Sequence, residues 1–250
     1  MDNVNWDKTL VRSSAMGYLF VEPKSKADKD AGELSATAKS YLIKTYIKQK
    51  YDREQDIVMK QMSKGIDAES QSINMLSMYR QKVLEKNEIR LDNEYITGLP
   101  DVFEGDCIEN CDFLWDIKTS WSVWSFLDNI SDKLNPLYYY QMQSYMWLTG
   151  CKKSAVAYVL SDCPQNLIDA EKKKIFYSMN VATEEAPEYV EAAAKCEINL
   201  IYPDIKLEEK ILIFPVERDD EVIERMKLKV EKAREFLKEF EKRHKNFNLK

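Results

Sequence analysis

Gly98-Leu99-Pro100-Asp101 is followed, fifteen positions after the aspartate, by Asp116-Ile117-Lys118. Two carboxylates and one ammonium are a useful set when brought together. Two carboxylates suit Mg²⁺ or Mn²⁺, hard cations that take oxygen ligands, and the Ile117 carbonyl could add another oxygen. A cation so held polarises a phosphodiester and lowers the pKa of a water. An ammonium beside it can position that water or stabilise charge developing on phosphorus.

The chain must bring these residues together. Residues 94–103 read as one strand and 112–119 as a second, with Gly105-Asp106 and Asn110 supplying turn chemistry between them. Side chains along a strand alternate faces. Asp101 therefore shares a face with Leu99 and Phe103. Asp116 shares one with Lys118, while Phe113, Trp115 and Ile117 point the other way into a core. The long connection between Asp101 and Asp116 requires a bulged loop. Acid-x-Lys triplets also occur at 22–24, 171–173, 204–206 and 208–210. Asp204-Ile205-Lys206 repeats the tripeptide itself, but it follows Pro203 in a polar connection and reads as a solvated decoy. Only the 116–118 copy lies in an apolar strand beside a second carboxylate strand.

Apolar spacing predicts a helix over about 54–86, with Met62, Ile66, Ile73, Leu76 and Val83 as its buried stripe. Glu69 falls within that stripe. A carboxylate there is costly unless it is paired, metal-bound or at the rim. Gly65 nearby allows close packing. Pro136 and Gly150 bound another helix, on which Leu137, Gln141, Ser144, Tyr145 and Leu148 share a face. The Gln141 amide can bond a phosphate, a base or a metal-bound water there, or simply the core backbone. Near the N-terminus, Ser13 or Ser14 either caps a short helix or, with Arg12, meets a phosphate. Ser35 caps a lysine-bearing helix to about Tyr51. Residues 153–160 and 211–216 read as strands, 165–177 and 186–201 as helices. Asp219 caps a last helix whose inner face carries Val222, Met226, Val230, Ala233, Phe236 and Leu237.

Composition narrows the chemistry. The 250 residues are 44% hydrophobic, enough for a substantial core, and show no repeat or linker, so residues 1–250 are expected to form a single domain. No apolar run matches a membrane span and the N-terminus does not read as a signal peptide. Five cysteines without a C-x-x-C point to a reducing, cytoplasmic compartment. The one histidine, His244, reads as a surface residue, which sets aside triad and histidine-metal chemistry. None of the six glycines builds a phosphate loop, so ATP-driven and dinucleotide chemistry are set aside as well. The formal net charge of −6 weighs against a nucleic-acid binder, though an acidic exterior can coexist with a local basic groove.

Taken together, Glu69, Gly98-Leu-Pro-Asp101, Asp116-Ile-Lys118 and Gln141-x-x-x-Tyr145 resemble the PD-(D/E)XK nuclease superfamily. Within it they are most similar to the lambda-exonuclease/YqaJ-type viral recombinase group, with kinship to RecB-type nucleases. The resemblance runs from about Arg12 to Phe240 and includes the Val216-Glu-Arg-Asp-Asp-Glu221 stretch before the final helix. It implies an α/β (α+β) fold with a restriction-endonuclease-like core, a central mixed sheet flanked by helices, and added helices at both termini. It implies Glu69, Asp101, Asp116 and the Ile117 carbonyl as ligands of Mg²⁺ or Mn²⁺. Lys118 would be the catalytic lysine, Gln141 would position DNA or water, and Arg12, Ser14 and Tyr145 would contact DNA. The implied activity is digestion of linear double-stranded DNA from an end, in phage recombination or repair. Such enzymes often form rings and often work beside a single-strand annealing protein. Asp116 stands where many members carry Glu. A structure-specific or Cas4/RecB-like endonuclease on the same core and a catalytically inactive DNA-binding subunit are the alternatives.

Overall fold

The computed structural model describes residues 4–54, 64, 68–130 and 133–247. The chain opens with a one-turn 3-10 helix at Trp6–Lys8, then β1 (Val11–Arg12), a 3-10 turn at Ser13–Ala15 and α1 (Met16–Phe20). Next come α2 (Lys26–Asp30), α3 (Ala36–Tyr51) and α4 (Glu69–Arg80). Three short strands follow, β2 (Leu91–Asp92), β3 (Ile96–Gly98) and β4 (Val102–Glu104), and then β5 (Phe113–Thr119). The rest is α5 (Val123–Leu127), α6 (Pro136–Thr149), β6 (Lys153–Val159), α7 (Gln165–Met179), α8 (Pro187–Ile198), β7 (Ile211–Glu217) and α9 (Asp220–Phe247).

The architecture is α/β, with two mixed sheets flanked by helices. One sheet has the order β1-β3-β2, the other β4-β5-β6-β7. β5 pairs antiparallel with β4 and parallel with β6, so both of its edges are occupied. Both of its faces are covered too. Trp115 and Ile117 pack with Ile73 and Leu76 of α4 on one side, while Leu114 packs with Met142, Tyr145 and Met146 of α6 on the other. Each fully buried apolar side chain here contributes about 1.5–3 kcal/mol. The opposite end of the molecule has its own core, where α9 lays Val222, Met226, Val230, Ala233 and Leu237 against α1 and α3.

Local chemistry explains the boundaries. Ser35 accepts a bond from the Ala38 N–H at the start of α3, and Asp219 accepts from the Glu221 and Val222 N–H groups at the start of α9. Pro136 opens α6, and Gly150 ends it at φ 79°, a left-handed conformation that costs glycine little.

Some expectations need correction. Residues 94–103 are not one strand: β3 belongs to the small sheet and β4 to the large one, and the chain crosses between them at Leu99-Pro100-Asp101. Proline supplies no N–H there and cannot continue a ladder. The helix expected to reach 86 stops at Arg80, because Gln81 turns left-handed, and Val83 is exposed. Met62, Gly65 and Ile66 lie outside the described residues. Neither Ser13 nor Ser14 caps a helix; the Ser13 hydroxyl donates to the Thr97 carbonyl. His244 is half-buried and meets the Tyr51 hydroxyl. Asp204-Ile205-Lys206 lies in a turn. Among the described residues no disulfide forms, and no helix is long and apolar enough to cross a membrane.

Candidate active site

β4 and β5 are in register as Val102↔Trp115, Phe103↔Leu114 and Glu104↔Phe113, so the next position outward sets Asp101 opposite Asp116. The bulged connection contains a 3-10 turn at Ile108–Asn110 and a left-handed Gly105 at φ 131°. Asp101 sits where the chain has just left the ladder. Its Oδ2 accepts the Ile117 N–H at 2.7 Å, while the Pro100 carbonyl is taken by Asn87. The backbone around it is braced from outside: Asn87 donates its N–H to the Asp101 carbonyl at 2.8 Å and its side-chain amide to the Pro100 carbonyl at 2.9 Å.

Asp116 is completely buried under α6. Its Oδ1 accepts the Gln141 Nε2 at 2.7 Å. Its Oδ2 lies 2.7 Å from the Lys118 ammonium, close enough for an ion pair but angled so that this oxygen has no hydrogen-bond partner. Lys118 also lies 4.7 Å from the centre of the Tyr138 ring, a cation–π contact from α6. Gln141 gives its remaining amide hydrogen to the Tyr145 hydroxyl at 2.9 Å.

The electrostatics follow from this crowding. Loss of solvent, reinforced by the like charge of Asp116, pushes the Asp101 carboxyl up to about 7, with Lys118 and the Ile117 N–H opposing and the more distant Glu69 adding to the rise. Desolvation works against the Lys118 charge, but Asp116 and Asp101 outweigh it and hold the ammonium above its ordinary value. Burial, then Asp116 and Asp101, pushes the Tyr145 phenol up, with Gln141 and Arg90 acting the other way.

The structure brings Asp101, Asp116, Lys118 and Gln141 together. It does not bring Glu69 fully in. Glu69 heads α4 instead of lying within its apolar stripe, and its Oε2 is 2.5 Å from the Lys86 ammonium. The reason is topological: α4 covers the Trp115 face of β5, whereas Asp116 and Lys118 point to the α6 face. The Ser72–Thr119 hydroxyl pair, 2.8 Å apart, ties α4 to the end of β5. Among the described residues no three carboxylate, thiol or imidazole groups are arranged as a ready-made metal cage. The donor chemistry nonetheless fits a hard divalent cation. Two facing carboxylates, one with a buried oxygen served only by the Lys118 ammonium, set two acidic groups against a single cation.

Arg12 and Ser14 are exposed. Arg12 lines a cavity of about 490 Å³ with Lys44, Lys48 and Arg53. Tyr145 is buried behind Gln141, so it supports the amide and does not face a groove.

Sequence reasoning passed over Lys86, Asn87 and Arg90, which belong to an irregular segment with no periodicity to mark it. It also passed over Lys64. That side chain is completely buried and donates to the carbonyls of Ser161 at 2.7 Å and Trp121 at 3.2 Å, beyond the ends of β6 and β5. Burial pushes its ammonium down to about 8.

No family model and no curated protein matches this chain. Solved structures do. The fold places the chain beside exonucleases. It is similar to a phage-related exonuclease from Haemophilus somnus 129PT, with 27% identity and a TM-score of 0.72 over 95% of this chain and 97% of that one. The fold is also shared with the alkaline exonuclease LHK-Exo from Laribacter hongkongensis, at 17% identity and a TM-score of 0.61 over 98% of each chain. A complex of LHK-Exo with dAMP aligns at 18% identity and a TM-score of 0.61, covering 96% of this chain and 95% of that one.

Proposed function

We propose that this protein is a Mg²⁺- or Mn²⁺-dependent deoxyribonuclease that removes nucleotides from an end of linear double-stranded DNA, in phage-type recombination or repair. The observation that carries the reading is Asp101 facing Asp116 across β4 and β5, with Lys118 beside them, in a chain similar over nearly its whole length to a phage-related exonuclease.

Asp101, Asp116 and the Ile117 carbonyl would hold the cation, and Glu69 would join them on parting from Lys86. A divalent cation held there supplies Lewis-acid polarisation of a phosphodiester and a lowered water pKa. Gln141 fixes the Asp116 carboxylate by its 2.7 Å bond, and Tyr145 fixes Gln141 in turn. Lys118 places a positive charge beside the reacting phosphorus and can orient the incoming water. Arg12 and Ser14 would meet DNA. A ring-shaped homo-oligomer and a single-strand annealing protein are the partners this activity would have.

The test is digestion of an end-labelled linear duplex beside a covalently closed circle, in Mg²⁺ and in EDTA. Loss of the linear substrate alone, and only with Mg²⁺, is expected. Cleavage of the circle would make the protein an endonuclease, and an inert linear substrate would remove the nuclease reading.

A further inference from the structure

The outer face of the small sheet carries cations that run from a cavity on α3 toward the carboxylate pair. We propose that Lys44, Lys48, Arg53, Arg12 and Arg90 form a track for the phosphate backbone of a DNA strand; the proposal rests on the nuclease reading above and adds the path by which substrate reaches the site.

Register places the middle of the track. β1 and β3 are parallel, with Val11 beside Ile96 and Arg12 beside Thr97. Val11 and Ile96 are both buried, so Arg12 and Thr97 share the opposite, outward face. Arg90 donates from Nη1 to Thr97 Oγ1 at 3.3 Å. Two guanidinium groups therefore flank one threonine.

At one end, Arg12 lines the cavity of about 490 Å³ together with Lys44, Lys48 and Arg53. Lys44 and Lys48 are one helical turn apart and project from the same side of α3. At the other end, Arg90 lies three residues beyond Asn87, whose backbone and side chain are bonded to Asp101 and Pro100. Gly98, next to Thr97, approaches Tyr145 so closely that an added Cβ would lie 3.0 Å from its ring, and Tyr145 holds Gln141 on Asp116. The Gly98 contact lies on the buried face of β3, opposite the cations, so the track adjoins the site through the 87–90 segment, and Arg90 is close enough to act on the Tyr145 phenol.

Charge pairing separates this face from an ordinary solvated surface. Glu54, which lines the same cavity, neutralises Lys48 at 2.9 Å and also attracts Arg12, and Asp92, the β2 partner of Thr97, is exposed nearby. Among the described residues Arg12, Lys44, Arg53 and Arg90 make no salt bridge, in a chain that carries six more acidic than basic charges. Unpaired cations concentrated beside a candidate phosphodiester site are what a polyanion requires.

The experiment uses the full chain and a fluorescein-labelled linear duplex, with binding followed by anisotropy in EDTA over a range of salt. Arg90→Gln, Arg12→Gln and the Lys44→Gln/Lys48→Gln pair are compared with wild type, with Arg90→Lys, and with Lys26→Gln/Lys29→Gln on α2 as a charge-matched control. Severalfold weaker binding is expected for the track variants, with a log–log salt slope shallower by about 1 for each cation removed. Arg90→Lys should recover most of the loss, and the α2 control should match wild type. Track variants that bind with wild-type affinity and slope overturn the proposal, as does an equal loss in the α2 control. Digestion by wild type in Mg²⁺ is measured alongside. Binding through the track without digestion refutes the nuclease reading and leaves the track standing; digestion with unaltered binding by the variants refutes the track alone.

Discussion

Burying Asp116 under α6 leaves a carboxylate with one hydrogen-bonded oxygen and one held only by the charge of Lys118. Such a group is costly without further compensation. Asp101, across the strand, adds a second charge of the same sign. Because folding raises the Asp101 carboxyl to about 7, the folded chain holds that proton more tightly than the unfolded chain does. The resulting contribution to stability is full below the ordinary aspartate value and is lost as pH rises through about 7. In EDTA, the thermal midpoint should therefore fall between about pH 4 and pH 7. Mg²⁺ should raise it most above pH 7, and Asp101→Asn should flatten this part of the profile. Calorimetry across pH checks all three, and a midpoint insensitive to Mg²⁺ at pH 8 would contradict the assignment. Lys118→Ala should lower cleavage by at least about 10²-fold while DNA binding persists, as for other positioned charge-stabilising groups. Single-turnover kinetics beside anisotropy separates the two, and full Mg²⁺-dependent activity in this variant would remove Lys118 from the mechanism.

At the scale of elements, the site depends on how β3, α4 and α6 meet β5. Gly98 leaves room for α6: a Cβ there would lie 2.5 Å from Ser13 Oγ and 2.9 Å from Leu148. Gly98→Ala should therefore destabilise the fold by about 1–3 kcal/mol, seen as a lower denaturation midpoint, and weaken the Tyr145–Gln141–Asp116 chain with it. Lys64→Met should leave the Trp121 and Ser161 carbonyls without their ammonium and cost about 1–3 kcal/mol. An unchanged urea midpoint would show that the strand ends do not need it. These elements were unequally legible in the sequence. Alternation in Phe113–Thr119 set the faces of β5, and Pro136 with Gly150 bounded α6, because period and capping are local properties. Turn chemistry marked the two strands as a hairpin, but the register that sets Asp101 opposite Asp116 was not legible, because a bulged connection does not fix it. Glu69 was harder: apolar spacing marked its helix but could not tell which side of the sheet that helix would cover, and the carboxylate found Lys86 instead. The splitting of 94–103 between two sheets was also hidden, since alternation continues through a change of partner strand. Lys86, Asn87 and Arg90 lie in a segment whose order comes only from tertiary bonds.

Over the whole molecule, the charge balance of −6 sits on a chain whose candidate site would handle a polyanion. The two are compatible because cations gather on one sheet face while acidic excess lies elsewhere, on α8 and the 207–210 turn. The central claim is that the pair of aspartates holds the divalent cation that makes hydrolysis possible. Its most direct test is titration of the purified chain with Mn²⁺, read by electron paramagnetic resonance, for wild type, Asp101→Asn, Asp116→Asn and, as a surface control, Asp204→Asn. Wild type and the Asp204 variant should bind the ion alike, with affinity sharply reduced in the Asp101 and Asp116 variants; undiminished binding in both of those would contradict the account.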